Sequence, residues 1–169
     1  LIISPGYYPV SIESFGDGSQ FCASCCCYIV VECDKTRKSH ICQAISRLKN
    51  HSVPCNEVLG FTQATEMPVN YYITHYNILK TTKTLNIASD SKCLLFSLSP
   101  YKKHTSVLVR NAIRKSLALA KNLTTRFDIQ VTFYYCPSGM NSADLNSKIP
   151  NNLDVIGICN SNEWKFGPS

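Results

Sequence analysis

The chain contains no apolar run near the roughly 20 residues that a membrane-spanning helix needs, and its longest, around Cys25–Val31, is only strand-sized. It begins without a methionine, and its opening, Leu1-Ile2-Ile3-Ser4-Pro5, lacks the basic start of a secretory signal. We therefore read it as a segment of a longer polypeptide, with no membrane partner. Charged residues make up only 17% of the chain against 44% hydrophobic ones, an ordinary globular balance with charge slightly low. No internal repeat and no low-complexity tract is found. At 169 residues the simplest organisation is one domain with a substantial core.

Cysteine, by contrast, is abundant, with ten in all, and Cys25, Cys26 and Cys27 are consecutive. The chain is large for a disulfide scaffold. Cys22 and Cys25 have CxxC spacing, but no second CxxC or HxxxH follows, and residues three apart on a strand point to opposite faces. These cysteines are read as small apolar strand fillers carrying reduced thiols. The net charge of +6, from 17 Lys and Arg against 11 Asp and Glu, points toward a polyanionic partner.

After a lead-in segment, residues 1–10, alternating patterns predict strands over Ile12–Ser19, Phe21–Glu32 and His40–Leu48. A charged turn, Asp34–Ser39, separates the last two. The period then becomes helical from Pro54, with Val58, Leu59, Thr62 and Ala64 in phase. Pro68 is expected to bend or interrupt that helix, which Tyr71–Leu79 resumes. A strand at Thr84–Ser89, a short helix at Cys93–Leu98 and a long one at Thr105–Leu123 follow. A strand at Ile129–Tyr135, a turn at Pro137–Asn141 and a last helical turn at Ala143–Lys148 complete the pattern. The tail 151–169, rich in Asn, Ser and Pro, reads as a linker. A meander followed by alternating helix and strand gives an α/β fold, a five-stranded mixed sheet with helices on both faces.

Four acids fall where such a sheet would gather them. Asp17 lies on the first strand between Gly16 and Gly18, which would let a ligand approach the backbone. Asp90 closes the fourth strand. If those strands are parallel neighbours, the two acids stand side by side at a switch point. Glu57 and Asp144 begin helices. Oxygen-only donors suit Mg²⁺ or Mn²⁺. Two ions about 4 Å apart would relieve the carboxylates' repulsion, one activating water and one stabilising a leaving oxygen. Surface charges or helix caps would give the same spacing; Asp144, after Asn141-Ser142, could simply be a cap.

Several segments resemble a known family. Glu13-Ser14-Phe15-Gly16-Asp17-Gly18-Ser19 is similar to the first-strand motif of retroelement ribonucleases H, and Ser46-Arg47-Leu48-Lys49 with Val53–Leu59 to the stretch carrying their glutamate. Ile87–Lys92 resembles the third motif and Tyr135–Leu145 the fourth. Trp164–Ser169 resembles the segment ahead of the integrase. The combination is most similar to the BEL/Pao group of LTR retrotransposons and covers about residues 11–169. It implies the ribonuclease H fold with sheet order 3-2-1-4-5 over residues 11–150, and a linker toward an integrase at 151–169. It also implies two Mg²⁺ ions, with Mn²⁺ as substitute, held by Asp17, Glu57, Asp90 and Asp144. The activity implied is hydrolysis of RNA in RNA–DNA hybrids, with reverse transcriptase and integrase as neighbours in one polyprotein and a cytoplasmic retroelement particle as its place. Three departures stand out: Pro137–Met140 contains no histidine, Cys55-Asn56 replaces an Arg-Leu pair, and Gly18 replaces alanine.

On the long helix Val109, Ala112, Ile113, Leu117 and Ala120 form an apolar stripe, while Arg110, Arg114 and Lys121 share another azimuth. Lys102 and Lys103 precede it, and Ser91 and Lys92 follow Asp90. By composition alone this is a solvated face; the resemblance makes it a clamp on phosphates. Two rival readings share the fold: a non-catalytic tether or hybrid-binding module, and an integrase or transposase core. The second is disfavoured because Glu57 lies between two aspartates rather than in a late helix.

Overall fold

The computed structural model describes residues 3, 5–33, 36–48, 52–96, 98, 107–141, 143 and 164–167, with backbone alone at 36–48, Cys93, Phe96, Leu108, Val109 and 164–167. The strands are β1 (Tyr7–Gly18), β2 (Ala23–Cys33), β3 (Thr36–Leu48), β4 (Thr84–Ser89), β5 (Gln130–Tyr135) and β6 (Trp164–Gly167). The helices are α1 (Val53–Thr74), α2 (Tyr76–Leu79), α3 (Lys92–Phe96) and α4 (Val107–Arg126). One sheet runs β5-β4-β1-β2-β3-β6. β1, β2, β3 and β6 pair antiparallel, and β1, β4 and β5 parallel. The expected order 3-2-1-4-5 is present, with a sixth strand added beyond β3.

Three boundaries differ from the sequence reading, each because a neighbouring strand decides pairing. The lead-in 1–10 is partly strand: Tyr7, Tyr8 and Pro9 pair with Cys33, Glu32 and Val31 before a register shift at Val10. Pro9 is tolerated because β4 joins β1 only from Ser11 onward, so no partner on that side asks for its missing N–H. The charged turn is shorter than expected, since Thr36 already faces Cys33 across the β2–β3 hairpin. In the tail, Trp164–Gly167 is not linker but pairs with Ala44–Ile41, because β3 otherwise leaves an open edge. The rest of 151–163, and the helical turn expected at Ala143–Lys148 apart from Ala143, lie outside the described residues.

The core forms where β1, β2, β4 and β5 present one face to α1. Ile12, Ile29, Leu85 and Ile87 are fully buried there, with Phe61, Tyr72 and Leu79 from the helical layer. Cys25 and Cys27 sit among them as small core residues. Cys22, Cys25, Cys26, Cys27, Cys33, Cys55 and Cys136 are free thiols. α4 packs beside α1, where Lys115 pairs with Glu66. Its buried face is Ala112, Ile113, Ser116, Ala120 and Leu123, while Leu117, expected inside, is 37% exposed on the side of the basic residues. Among the described residues no helix is long and apolar enough to cross a membrane.

Pro68 does not interrupt α1, which runs continuously through it. A proline inside a helix leaves the carbonyl four residues earlier without its donor. That carbonyl belongs to Ala64, and the buried Ser14 hydroxyl on β1 donates to it at 2.5 Å. Ser14 also contacts the Cys27 thiol at 3.0 Å, which completes its polar surroundings. A neighbouring strand thus supplies the hydrogen bond that the helix cannot.

Candidate active site

β1 and β4 run parallel with Gly16 facing Ser89. Asp17, still on β1, and Asp90, just past the end of β4, follow that pair and therefore stand at the same level. Asp17 is buried, and Asp90 is half-buried at the carboxyl end of β4. β5 adds Tyr135 opposite Ser89. Beyond it the Cys136 amide donates to the Ser89 carbonyl at 2.9 Å, so the chain departs from β5 alongside Asp90.

α1 brings the third acid across the ends of these strands. Its approach is closer than side chains would allow. A methyl group on Gly18 would overlap the backbone of Asn56 and Glu57, and one on Gly60 would overlap the carbonyl of Asp17. One on Gly16 would lie 2.7 Å from the Gly60 carbonyl oxygen. Gly16 and Gly18 therefore admit a helix, where the sequence suggested room for a ligand. Asn56, fully buried, ties the helix start down by donating to the Ser19 carbonyl at 2.7 Å. Glu57 lies just past the first turn of α1. Burial, and secondarily the charge of Asp90, raises its carboxyl above the usual range. Asp90 is thus near enough for its charge to be felt at Glu57. Burial and then Asp90 also raise the Cys136 thiol.

A loop closes the site from the β5 side. In the single 3-10 turn Ser138–Met140 the Ser138 hydroxyl donates to Asp90 Oδ2 at 2.8 Å. Buried Asn141 donates through Nδ2 to the Gly16 carbonyl at 3.2 Å and accepts the Ala143 amide at 2.9 Å. The Ser24 hydroxyl, on the β2 residue facing Asp17, donates to the Ala143 carbonyl at 3.0 Å. The residue before Asp144 is thus fixed beside the Asp17 strand; Asp144 itself lies outside the described residues.

The structure brings Asp17, Glu57 and Asp90 to one end of the sheet. Among the described residues, however, no group of three or more His, Cys, Asp or Glu side chains stands close enough to hold one ion. In kind the donors fit a hard divalent cation. They are carboxylates, and the nearby Cys136 thiol is turned to the Pro137 carbonyl.

The expected nucleic-acid residues that are described lie on α4 and at the start of α3. Arg110, Arg114 and Lys121 are exposed on α4. Lys92 places its ammonium 4.8 Å from the centre of the Tyr135 ring, at the mouth of the site. The Ser91 hydroxyl accepts the Leu94 amide at 3.2 Å and so caps α3. Lys102 and Lys103 lie outside the described residues. Sequence reasoning gave no role to Ser24, Asn56, Gly60, Ser138 or Asn141. The only signal was that Ser138 and Asn141 fall within the segment Tyr135–Leu145 and that Asn56 departs from the glutamate-bearing pattern.

A mixed sheet ordered in this way, with acids gathered where β1 and β4 end, defines the class: an α/β fold whose site lies at a topological switch point. The fold is that of ribonuclease H. The N-terminal ribonuclease H domain of a Mycobacterium tuberculosis protein, solved as a fusion with maltose-binding protein, is similar at a TM-score of 0.50 and 12% identity, covering 82% of this chain and 95% of that one. A ribonuclease H1 isolated from compost by a metagenomic approach is similar at a TM-score of 0.51 and 11% identity, covering 82% and 91%. A foamy viral protease–reverse transcriptase in complex with double-stranded DNA shares 17% identity over 85% and 94% of the two chains, at a TM-score of only 0.40. No family model and no curated protein matches the chain. At these identities the likeness speaks for the fold alone.

Proposed function

We propose that this chain is a metal-dependent endoribonuclease of the ribonuclease H type, hydrolysing the RNA strand of RNA–DNA hybrids during reverse transcription. The observation that carries the reading is the level placement of Asp17 and Asp90 through the Gly16–Ser89 pairing, with Glu57 in the field of Asp90. Asp17, Glu57 and Asp90, completed by Asp144, would hold two Mg²⁺ ions, or Mn²⁺ in their place. Bound there, the ions supply water activation and charge stabilisation at the leaving 3′ oxygen. The carboxylates orient the reacting phosphodiester, and Gly18 and Gly60 keep the acid-bearing helix close. Exposed Arg110, Arg114 and Lys121, with Lys92, Lys102 and Lys103, would hold phosphates on either side. Contact through backbone and 2′-hydroxyls makes recognition tolerant of sequence.

The motif resemblance of Ile87–Lys92, Tyr135–Leu145 and Trp164–Ser169 supports placement in a BEL/Pao-like polyprotein, beside reverse transcriptase and integrase in a cytoplasmic particle. The rival reading is a non-catalytic hybrid-binding module. Incubation with a labelled RNA–DNA hybrid in Mg²⁺, Mn²⁺ or chelator separates the two. Cutting that needs metal, and that disappears in Asp17→Asn and Asp90→Asn while the fold persists, supports the nuclease. Binding without cutting in either metal supports the module.

A further inference from the structure

The Ser138 hydroxyl is the described side-chain donor to the Asp90 carboxylate, 48 residues away in sequence and 2.8 Å away in space. Ser138 is exposed, and an exposed serine on a free loop would be a weak partner. This loop is held at both ends. On one side the Cys136 amide extends the β4–β5 ladder by bonding to the Ser89 carbonyl. On the other, Asn141 is anchored to Gly16 and Ala143 to Ser24, both on strands at the site. Within it, the Met140 and Asn141 amides bond back to Pro137 and Ser138 at 2.9 and 3.2 Å, so the turn itself is closed. The hydroxyl is therefore presented by a fixed frame, and little freedom is lost when it meets the carboxylate.

We infer that Ser138 is a positioning residue for metal binding by Asp90, an inference that rests on the proposed nuclease site. One carboxylate oxygen, Oδ2, accepts the serine proton. This fixes the rotation of the carboxylate, and Oδ1 would be the oxygen left for a cation. A hydrogen bond behind a ligand oxygen holds it in place, as outer partners of metal ligands commonly do. In this role Ser138 acts through Asp90.

The test uses the full chain and the variants Ser138→Ala, Ser138→Thr and Asp90→Asn. Mn²⁺ binding is titrated by electron paramagnetic resonance without substrate, and hybrid cleavage is measured against Mg²⁺ concentration. Ser138→Ala is expected to weaken Mn²⁺ binding by about 10-fold. It should raise the Mg²⁺ requirement for cleavage in step, with turnover at saturating metal little changed. Ser138→Thr, which keeps the hydroxyl, should restore both. Parent-like Mn²⁺ binding in Ser138→Ala, while Asp90→Asn loses it, overturns the inference and spares the site. A threonine variant as impaired as the alanine variant also overturns it. Parent-like binding in Asp90→Asn overturns the underlying site and the inference with it.

Discussion

Ser14 on β1 gives its hydroxyl proton to the carbonyl of Ala64 on α1, the carbonyl that Pro68 leaves without a helical donor. Both partners are fully buried, so loss of the donor strands a buried acceptor. Ser14→Ala is expected to cost about 1–3 kcal/mol of unfolding free energy. In a Pro68→Ala background residue 68 regains an N–H that can reach Ala64, and the same serine change should then cost much less. A denaturant double-mutant cycle measures this coupling. Additive effects would show that the two residues are energetically independent.

Gly18 and Gly60 carry a second prediction. Each would place a methyl group into backbone, Gly18 against Asn56 and Glu57 and Gly60 against Asp17, whereas Gly139 has nothing within 4 Å. Gly18→Ala and Gly60→Ala should each destabilise by more than about 3 kcal/mol, since backbone on both sides cannot yield locally. Gly139→Ala should be close to neutral. Thermal melts of the three variants check this, and a mild Gly60→Ala would mean that α1 can withdraw from β1.

The raised carboxyl of Glu57 makes a prediction about pH. Burial and then Asp90 hold its pKa above the unfolded value. Such a group stabilises the fold below its unfolded pKa, and that stabilisation is lost as pH rises through the raised folded pKa. At neutral pH the ionised carboxylate is thus a cost to the metal-free protein. Glu57→Gln should raise its melting temperature at pH 7 and give little gain near pH 3. Added Mg²⁺ should stabilise the parent more than the variant. A lower melting temperature for the variant at pH 7 would count against the repulsion.

β6 is expected to protect β3. Removal of residues 164–169 exposes an edge that β3 otherwise shares with Trp164–Gly167. Hydrogen exchange should speed up over Ile41–Ala44, with a small fall in melting temperature. Unchanged exchange there would return this segment to the role of linker.

The basic face of α4 should set affinity rather than chemistry. Arg110→Ala with Arg114→Ala is expected to weaken hybrid binding in Ca²⁺ and to flatten its dependence on salt, by somewhat under one log unit for each phosphate no longer neutralised. Fluorescence anisotropy across a salt series gives the slope. If affinity and slope stay as in the parent, the face is simply solvated.

The sequence by itself determined the strands and helices whose periodicity is strong, such as Thr84–Ser89, which the structure reproduces residue for residue. It also placed the acids at element ends and the basic residues of α4 on one face, because side-chain spacing and chain direction are local properties. Tertiary structure decided what needs a second element. Whether Tyr7–Pro9 and Trp164–Gly167 are strands depends on β2 and β3 offering partners. The donor missing at Pro68 is replaced by a serine 54 residues earlier along the chain. The glycines beside Asp17 looked like room for a ligand and proved to be room for α1, since only packing shows which surface fills a missing side chain. Ser138 and Asn141 acquire their partners because β1, β4 and the loop after β5 meet at one end of the sheet, a convergence that no local pattern encodes.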